Sequence, residues 1–368
     1  MEAAMHYVAT IPAETLHIFT REIFERAGFS PQHAADGADV LLWASRRGVE
    51  THGVRNLKLV YLRMLESGQI NPNATFFVEH ETPVSAQTNG DGGLGLAAGC
   101  WAMRLAMDKA EQSGMAFVTM RNSYHYGAAG YFPALALQRD MIGISLTGHF
   151  SGQGAAIGVP PTFGAKPMFS TNPIAVAFPT QNEAPWVLDM ATSIAPYNRV
   201  MLHHENGLPV LPQWGLTAEG EPTADALLMQ QMWPLGGDRA HGGHKGYGLS
   251  MMVATLCAVL SGGWDDGHAD DAASFHGFRQ TGDSHFFGAI RIDAFRPLEG
   301  FKRGMDAMIQ ALHAAPKVPG EERIYVAGEI EHETEQKRIK NGIPLTAVTL
   351  ADLQELSVKY GVRLEIEG

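Results

Sequence analysis

The chain has 368 residues, 45% of them hydrophobic and 18% charged, which is enough for two or three folded domains. Its formal net charge of −12 argues against nucleic acid as a partner, because that partner requires a basic surface. Cys100 and Cys257 have no metal-ligand spacing, and the N-terminus has no signal-peptide pattern. The most apolar run, Leu249–Leu260, is too short to cross a bilayer and predicts a core helix. We therefore expect a cytoplasmic protein with no membrane contact.

The first 70 or so residues predict a helical unit. Apolar residues share one face between Pro12 and Gly28, which is the pattern of an amphipathic helix. Ser30-Pro31 combines a capping residue with a proline and begins a second helix that runs toward Arg47. A third predicted helix ends at Ser67-Gly68.

The segment Val49–Asn56 lies at the break between the second and third helices. It places the imidazole of His52 between the hydroxyl of Thr51 and a glycine, with Arg55 three residues further on. A histidine exchanges protons near neutral pH, and an arginine can hold a carboxylate through two parallel hydrogen bonds. These two groups are the ones needed to reduce a 2-oxo acid or to oxidise its alcohol. The alternative at this point is a pair of helix caps with a solvated histidine and arginine.

Strands predominate in the next part of the chain. The predicted strands are Phe76–Val78, Pro83–Ala86, Met115–Met120, Ile142–Leu146, Ile174–Phe178 and Trp186–Leu188. Gly90–Gly95 matches the G-x-G-x-x-G pattern of dinucleotide-binding Rossmann units. However, the preceding Ala86–Asn89 is polar, unlike a buried parallel strand, and no acidic residue follows where a ribose would need one. We therefore do not predict a Rossmann unit. The loop Thr147–Phe169 is long enough to suggest a function or an insertion.

Two segments have the composition of phosphate-binding loops. Small residues follow His125 within Tyr124–Gly130, so a helix N-terminus can approach a ligand there. In His241–Gly248 a lysine stands among four glycines at a helix start, an arrangement that is costly unless the backbone must approach another group closely. The alternatives are a helix cap with an exposed histidine and a flexible basic loop. His203–Glu205 and the acidic run Asp265–Asp271 could suggest a metal-dependent hydrolase, but neither has convincing ligand spacing, and we expect no metal.

The chain then alternates between a strand at Phe286–Ile292, a helix at Phe301–Ala314, a charged turn at Lys317–Arg323 and a last amphipathic helix at Leu350–Tyr360. With these pieces in order, the sequence resembles the malate/L-lactate dehydrogenase family, which lacks the Rossmann fold. That family includes ureidoglycolate, sulfolactate and diketogulonate dehydrogenases and the piperideine- and pyrroline-2-carboxylate reductases. The resemblance covers essentially the whole chain and rests on six motifs in the family's order: Thr51–Val54, Asn122–Gly127, Ser170–Ala175, Asp189–Ser193, His244–Gly248 and Val318–Glu321.

The resemblance implies an α+β fold in which helical domains pack on a mostly antiparallel, seven-stranded, nicotinamide-binding sheet. We expect an N-terminal helical unit (1–75), the cofactor-binding sheet domain (76–235), a helical segment (236–315) and a C-terminal segment that returns to the sheet and the helical unit (316–368). It also implies a homodimer with the active site at a domain cleft.

The activity implied by the resemblance is hydride transfer between NAD or NADP and C2 of a small 2-hydroxy or 2-oxo acid. Reduction of cyclic 2-imino acids is one alternative, and a catalytically silent protein that binds a nucleotide or a small acid is another. His52 would handle the proton with help from Thr51, and His125 is the rival for that role. The remaining cofactor contacts would be Tyr126, Gly127, Ala128, Ala129, Asp189, Met190, Ala191, His244, Lys245, Lys317, Pro319, Gly320, Glu321 and Arg323, together with His125 itself.

For the substrate, the resemblance makes Thr171 a binding threonine, and Arg55 and Asn56 are candidates for holding the carboxylate. The sequence departs from the family pattern here. The family's arginine usually stands four residues after the histidine, where this chain has Asn56, and Arg55 comes one residue earlier. One residue of a helix turns by about 100°, so Arg55 could point elsewhere. Thr51 also replaces the usual serine but keeps the hydroxyl.

Overall fold

The computed structural model describes residues 5–152, 155, 157–264 and 282–365. This part of the chain contains the α-helices α1 (Ala13–Arg26), α2 (Pro31–Arg46), α3 (Arg63–Glu66), α4 (Gly95–Ser113), α5 (Tyr131–Ala136), α6 (Tyr197–Glu205), α7 (Gly243–Ala254), α8 (Leu298–His313), α9 (Glu329–Asn341) and α10 (Ala347–Tyr360). Its strands are β1 (Tyr7–Ile11), β2 (Phe77–Thr82), β3 (Ser85–Asn89), β4 (Met115–Ser123), β5 (Met141–Gly148), β6 (Ile174–Phe178), β7 (Trp186–Met190), β8 (Gly215–Leu216), β9 (Gln231–Met232), β10 (Asp283–Arg291) and β11 (Ile343–Thr346).

Seven of these strands form one central sheet in the order β2-β3-β4-β10-β5-β6-β7. Every neighbouring pair is antiparallel except β3 and β4, which run parallel. The helix α4 packs across β4 and β10, and one hydrophobic core joins the helical unit to the sheet through Phe19, Leu41, Met103, Val118 and Phe287. The predicted α+β fold with a mostly antiparallel seven-stranded sheet is confirmed.

The glycine pattern at Gly90–Gly95 lies between β3 and α4 of a β3-α4-β4 unit, so the expectation that no parallel strand precedes it was wrong. The polar segment Ala86–Asn89 is a strand, and it pairs in parallel with β4. The glycines nevertheless pack against protein. A Cβ atom on Gly95 would lie 2.1 Å from the carbonyl oxygen of Tyr124, and Gly90 donates to the carbonyl of Arg121 at 2.9 Å. The N-terminus of α4 is therefore covered by the chain that follows β4.

The N-terminal helices begin and end close to their predicted positions. Ser30 caps α2, because its hydroxyl accepts a hydrogen bond from the backbone of His33 at 3.2 Å. The third predicted helix begins as a π-helical turn, Leu57–Leu62, before α3. The short helical turn Glu50–His52 lies between α2 and this π-helical turn.

The sequence patterns missed the β1–β11 pair and α9. Helix α9 has only Glu329 buried, so it has no apolar face that periodicity could reveal. The prediction of a core helix at Leu249–Leu260 was correct for one face only, because Met251, Met252, Val259 and Leu260 are between 43% and 58% exposed. Among the described residues, no helix combines the length and apolar character needed to cross a membrane.

Candidate active site

A cavity of about 510 Å³ lies where the Glu50–His52 turn meets one edge of the central sheet. Its volume falls within the roughly 300–1,000 Å³ of small-molecule sites. It is lined by Trp43, Arg47, Val49, Thr51, His52, Gly127, Ala128, Ala129, Thr171, Pro173, Val187, Leu188, Asp189, Ala191, Pro196, Tyr325, Val326, Ala327, Gly328, Ile330 and Glu331. These residues come from the end of α2, the loops before α5 and β6, the strand β7 and the segment that leads into α9.

His52 stands at the wall of this cavity between a hydroxyl and a second imidazole. Its Nδ1 is hydrogen-bonded to Thr51 Oγ1 at 2.8 Å. Its ring is stacked on His125 with 5.5 Å between ring centroids. Burial, the proximity of His125 and the charge of Arg55 lower the pKa of His52 to about 3. The imidazole is therefore neutral at physiological pH, so one ring nitrogen donates and the other accepts.

His125 lies behind His52 and does not line the cavity. Its Nδ1 is hydrogen-bonded to the buried hydroxyl of Tyr61 at 2.8 Å. Burial lowers the pKa of His125 as well, so the stacked pair carries no charge at neutral pH. The structure thus brings together both histidines predicted for proton transfer, with His52 the one exposed to the cavity.

Asn56, which the sequence made a candidate for holding the carboxylate, positions the histidine segment and is not part of the cavity lining. It is fully buried, and its side-chain amide donates to the backbone carbonyl of Thr51 at 2.8 Å. Asn198 of α6 donates to the same carbonyl at 3.3 Å. Two amides therefore hold the backbone that carries the hydroxyl partner of His52.

Arg55, the second residue predicted to hold the carboxylate, is not part of the cavity lining either. Its Nε donates to Glu205 Oε2 at 3.0 Å and its Nη2 to Glu205 Oε1 at 2.5 Å. The internal carboxylate of α6 occupies the two-pronged face of the guanidinium that a substrate would need. The one-residue shift from position 56 turns this side chain toward α6.

Arg47, which sequence reasoning passed over as a helix-end residue, lines the cavity instead. The sequence signal was weak, because Arg46 and Arg47 at the end of α2 have the pattern of solvated charges. In the structure the Arg47 side chain is only 7% exposed. Thr171, the predicted substrate threonine, lines the same cavity.

Asp189 supplies an acidic group to the cavity. Its Oδ2 accepts a hydrogen bond from the backbone of Gly130 at 2.7 Å. The surrounding protein desolvates this carboxyl and raises its pKa to about 6, although the Gly130 hydrogen bond acts in the opposite direction. The charge of this cavity wall therefore changes near pH 6.

The cofactor residues predicted from the resemblance separate into two groups. Gly127, Ala128, Ala129, Asp189 and Ala191 line the cavity. Those that do not line it are His125, Tyr126, Met190, His244, Lys245, Lys317, Pro319, Gly320, Glu321 and Arg323.

Tyr126, one of the predicted cofactor contacts, is a core residue. Its ring is stacked between His285 and Phe132, and its hydroxyl accepts from Ser145 at 3.1 Å. Arg323 is held by Glu329 and Glu333.

Two of the four glycines of His241–Gly248 are explained by close packing within the chain. A Cβ atom on Gly243 would lie 1.7 Å from the carbonyl oxygen of Gly237, and one on Gly246 would lie 2.2 Å from that of Leu235. The close approach that these glycines predicted is real, but the described partner is the preceding loop. His244 is hydrogen-bonded to Arg239, and Lys245 is exposed on the first turn of α7.

The metal-dependent alternative gains no support from the described residues, which contain no group of three or more metal-ligating side chains. His203 is hydrogen-bonded to the carbonyl of Pro209, and Glu205 is paired with Arg55. The acidic run Asp265–Asp271 lies outside the described residues.

Comparison with known proteins places this site in a family. Residues 11–354 match the family described as malate/L-lactate dehydrogenase. The chain is 38% identical to a malate dehydrogenase of Pyrococcus abyssi, with 96% of this chain and 95% of the relative covered. It is 31% identical to an L-sulfolactate dehydrogenase of Methanocaldococcus jannaschii, with 94% and 95% covered. The solved structure of malate dehydrogenase from Entamoeba histolytica superposes with a TM-score of 0.88 at 35% identity, covering 96% of this chain and 99% of that one.

The protein is a dehydrogenase that acts on small hydroxy acids. It belongs to the malate/L-lactate dehydrogenase family, as its sequence motifs indicated.

Proposed function

We propose that this protein transfers a hydride between a nicotinamide cofactor, NAD or NADP, and C2 of a small 2-hydroxy or 2-oxo acid, with malate and oxaloacetate as the first pair to test. The observation that carries the proposal is the neutral His52, fixed by Thr51 at the wall of a 510 Å³ cavity. The names of the malate dehydrogenase relatives direct the choice of substrate.

The cavity suits a flat ring next to a small acid. Gly127, Ala128 and Ala129 form one wall with backbone and methyl groups, and no long side chain from them projects into the space. Gly127 adopts a φ of +87°, a conformation that few residues other than glycine tolerate. We propose that this wall, Asp189 and Ala191 hold the nicotinamide end of the cofactor. When bound, the cofactor supplies or accepts the hydride.

The chain's own residues supply the proton chemistry. If the Thr51 hydroxyl accepts the Nδ1 proton of His52, Nε2 is left as the acceptor for the proton of a substrate hydroxyl. In the reverse direction the same nitrogen returns the proton to the substrate oxygen. A substrate carboxylate in the cavity is an opposite charge that favours the imidazolium and raises the low pKa of His52. His125 supports the ring of His52 by stacking.

The test is to titrate the protein with NADH and NADPH by nicotinamide fluorescence, and then to add oxaloacetate, pyruvate and cyclic 2-imino acids while following absorbance. Cofactor binding with oxidation by a 2-oxo acid is the expected result. Oxidation by cyclic imines alone would identify an imine reductase, and binding without turnover would identify a silent binding protein. Failure to bind either cofactor would overturn the proposal.

The variants His52→Gln and His125→Gln test which histidine exchanges the proton with the substrate. We expect His52→Gln to reduce kcat by a factor of about 10² to 10⁴, the range for general acid–base groups, with cofactor affinity kept. If the His125 variant suffers that loss while the His52 variant stays active, the roles are reversed.

We further propose a homodimer and a cytoplasmic location. The exposed apolar residues Met251, Met252, Val259 and Leu260 on one helical segment support a protein contact on that surface. Both cysteines are free and buried, as in proteins of reducing compartments. Sedimentation of the purified protein, with a Met252→Glu variant for comparison, tests the dimer.

A further inference from the structure

The cavity requires a cation that has not yet been assigned. A 2-oxo acid brings a carboxylate into the site, and burying that charge without a partner is costly. Arg55 is paired with Glu205, and the side-chain amide of Asn56 donates a hydrogen bond to the carbonyl of Thr51. Among the described residues that line the cavity, Arg47 is the only lysine or arginine.

Arg47 is held rigidly at this wall. Its guanidinium lies over the ring of Trp43 at 4.7 Å, and its Nη2 donates to the carbonyl of Gly328 at 3.2 Å. Its Nη1 donates to Glu335 Oε2 at 3.0 Å. Trp43 and Gly328 line the cavity too, so the contacts that fix the guanidinium also place it there. A cation fixed in this way loses little entropy when it binds a ligand.

The guanidinium keeps donors and charge for an anion. It has five N–H groups, and Glu335 and the carbonyl of Gly328 accept one each from Nη1 and Nη2, so each of these two nitrogens keeps one further N–H. Glu335 is shared between Arg47 and Arg46, whose Nε lies 3.5 Å from Oε1, so the three side chains carry one positive charge in excess. Asp189 and Glu331 are acidic groups of the same cavity that repel an anion, and the charge of Arg47 acts on the Asp189 carboxyl in the opposite direction.

We infer that Arg47 binds the carboxylate of the substrate and takes the place of the arginine missing at position 56. This inference rests on the proposed function, since it concerns the acid group of a 2-hydroxy or 2-oxo substrate. By binding the carboxylate, Arg47 selects acids over neutral alcohols and ketones.

The test compares Arg47→Lys with Arg46→Lys. Both changes alter a partner of Glu335, but only Arg47 lines the cavity. We expect Arg47→Lys to raise KM for oxaloacetate at least tenfold, because lysine cannot offer the paired donors, and to leave the Kd for NADH within twofold of wild type. Arg46→Lys keeps the KM of wild type. Oxamate, an unreactive analogue of a 2-oxo acid, should bind more weakly to the Arg47→Lys protein with NADH present, in proportion to KM.

A second variant keeps the test sharp if lysine disturbs the local structure. In Arg47→Ala, millimolar guanidinium ion should lower KM toward the wild-type value, which a purely structural role would not allow. An unchanged KM in Arg47→Lys, or equal changes in the two lysine variants, would overturn the inference. If the wild-type protein binds neither cofactor nor oxamate, it is the proposed function that has failed.

Discussion

Arg55 and Glu205 form a two-pronged ion pair that joins the segment after His52 to the end of α6, with contacts of 3.0 and 2.5 Å. The side chain of Arg55 is 7% exposed and that of Glu205 22%. Asn198, from the same helix, donates to the carbonyl of Thr51. Helix α6 therefore holds the segment Val49–Asn56 through two residues, Arg55 and Thr51.

Removing one partner of this pair should destabilise the protein. Glu205→Gln leaves the buried guanidinium of Arg55 without a counter-ion, at a cost of about 2 kcal/mol in the free energy of unfolding. That is less than the roughly 3–5 kcal/mol of a fully buried pair, because Glu205 is partly exposed. Urea unfolding measures the change.

The double variant Arg55→Met/Glu205→Met provides the control, because it removes both charges. It should recover most of the lost stability and should keep KM for the 2-oxo acid, since Arg55 does not reach the cavity. A large rise in KM in the double variant would show that Arg55 takes part in substrate binding.

Asp189 should make substrate binding depend on pH. Its pKa is raised to about 6 by desolvation, so the carboxyl is neutral below that pH and negative above it. A negative charge in the cavity weakens the binding of an anionic acid, and KM for oxaloacetate should therefore rise as the pH passes from 5 to 8. Asp189→Asn, whose amide oxygen can still accept from Gly130, should hold KM low across this range.

The matched control is Asp140→Asn, a surface carboxylate paired with Lys302. This variant should show the same pH dependence of KM as wild type. If the inflection near pH 6 survives in Asp189→Asn, another group is responsible for it.

The hydroxyl of Thr51 should affect kcat more than its methyl group does. Thr51→Val removes the partner of His52 Nδ1 and frees the ring to rotate or to change tautomer, so kcat should fall about 10- to 100-fold. Thr51→Ser keeps the hydroxyl and should stay within a few fold of wild type. Equal losses in both variants would mean that the methyl group, not the hydrogen bond, holds His52. Steady-state kinetics at saturating cofactor distinguishes these outcomes.

Much of the site could be predicted from local sequence. Thr51 and His52 stand at a break between two helices, and Ala128 and Ala129 follow a strand, so their neighbours in the chain already place them at the end of an element. The β3-α4-β4 unit shows the limit of such reasoning. The polarity of Ala86–Asn89 argued against a buried parallel strand. Thr88 can nevertheless be buried in β3, because its hydroxyl donates a hydrogen bond to the carbonyl of Thr119 on the neighbouring strand.

The residues that were missed depend on contacts between distant parts of the chain. Arg47 and Arg55 are both arginines beside the same histidine, and only the partners Glu335 and Glu205 decide which of them faces the cavity. Those partners lie 288 and 150 residues further along. The cavity wall formed by Tyr325–Glu331 likewise comes from the C-terminal part of the chain. Helix α9, which begins there, has no apolar periodicity from which it could be predicted.

The buried His285 should make the fold sensitive to acid. It lies on β10 with Nδ1 2.8 Å from Thr147 Oγ1 and Nε2 3.0 Å from Ser123 Oγ. Its ring is stacked on Tyr126 at 4.7 Å. Burial lowers its pKa to about 4, so the folded protein keeps this ring neutral at a pH where the unfolded chain protonates it.

The dependence of the folding stability on pH follows from proton linkage. Between the ordinary pKa of about 6.5 and the lowered value near 4, the unfolded state binds a proton that the folded state does not. The stabilising effect of a neutral His285 is therefore complete above pH 6.5 and is lost as the pH falls toward 4. One such histidine contributes about 1.4 kcal/mol per pH unit, or about 2 kcal/mol between pH 6.5 and pH 5. His52 contributes to the same loss of stability at low pH, since its pKa in the folded protein is lowered to about 3.

His285→Gln tests this dependence, because glutamine can still hydrogen-bond to both hydroxyls and does not titrate. Urea unfolding at pH 7, 6 and 5 should show a lower stability than wild type at pH 7 and a shallower loss toward pH 5, by about 2 kcal/mol over the range. His80→Gln, at an exposed position on β2, should keep the full wild-type slope. If His285→Gln and wild type lose stability in parallel, His285 is not the group whose protonation unfolds the protein.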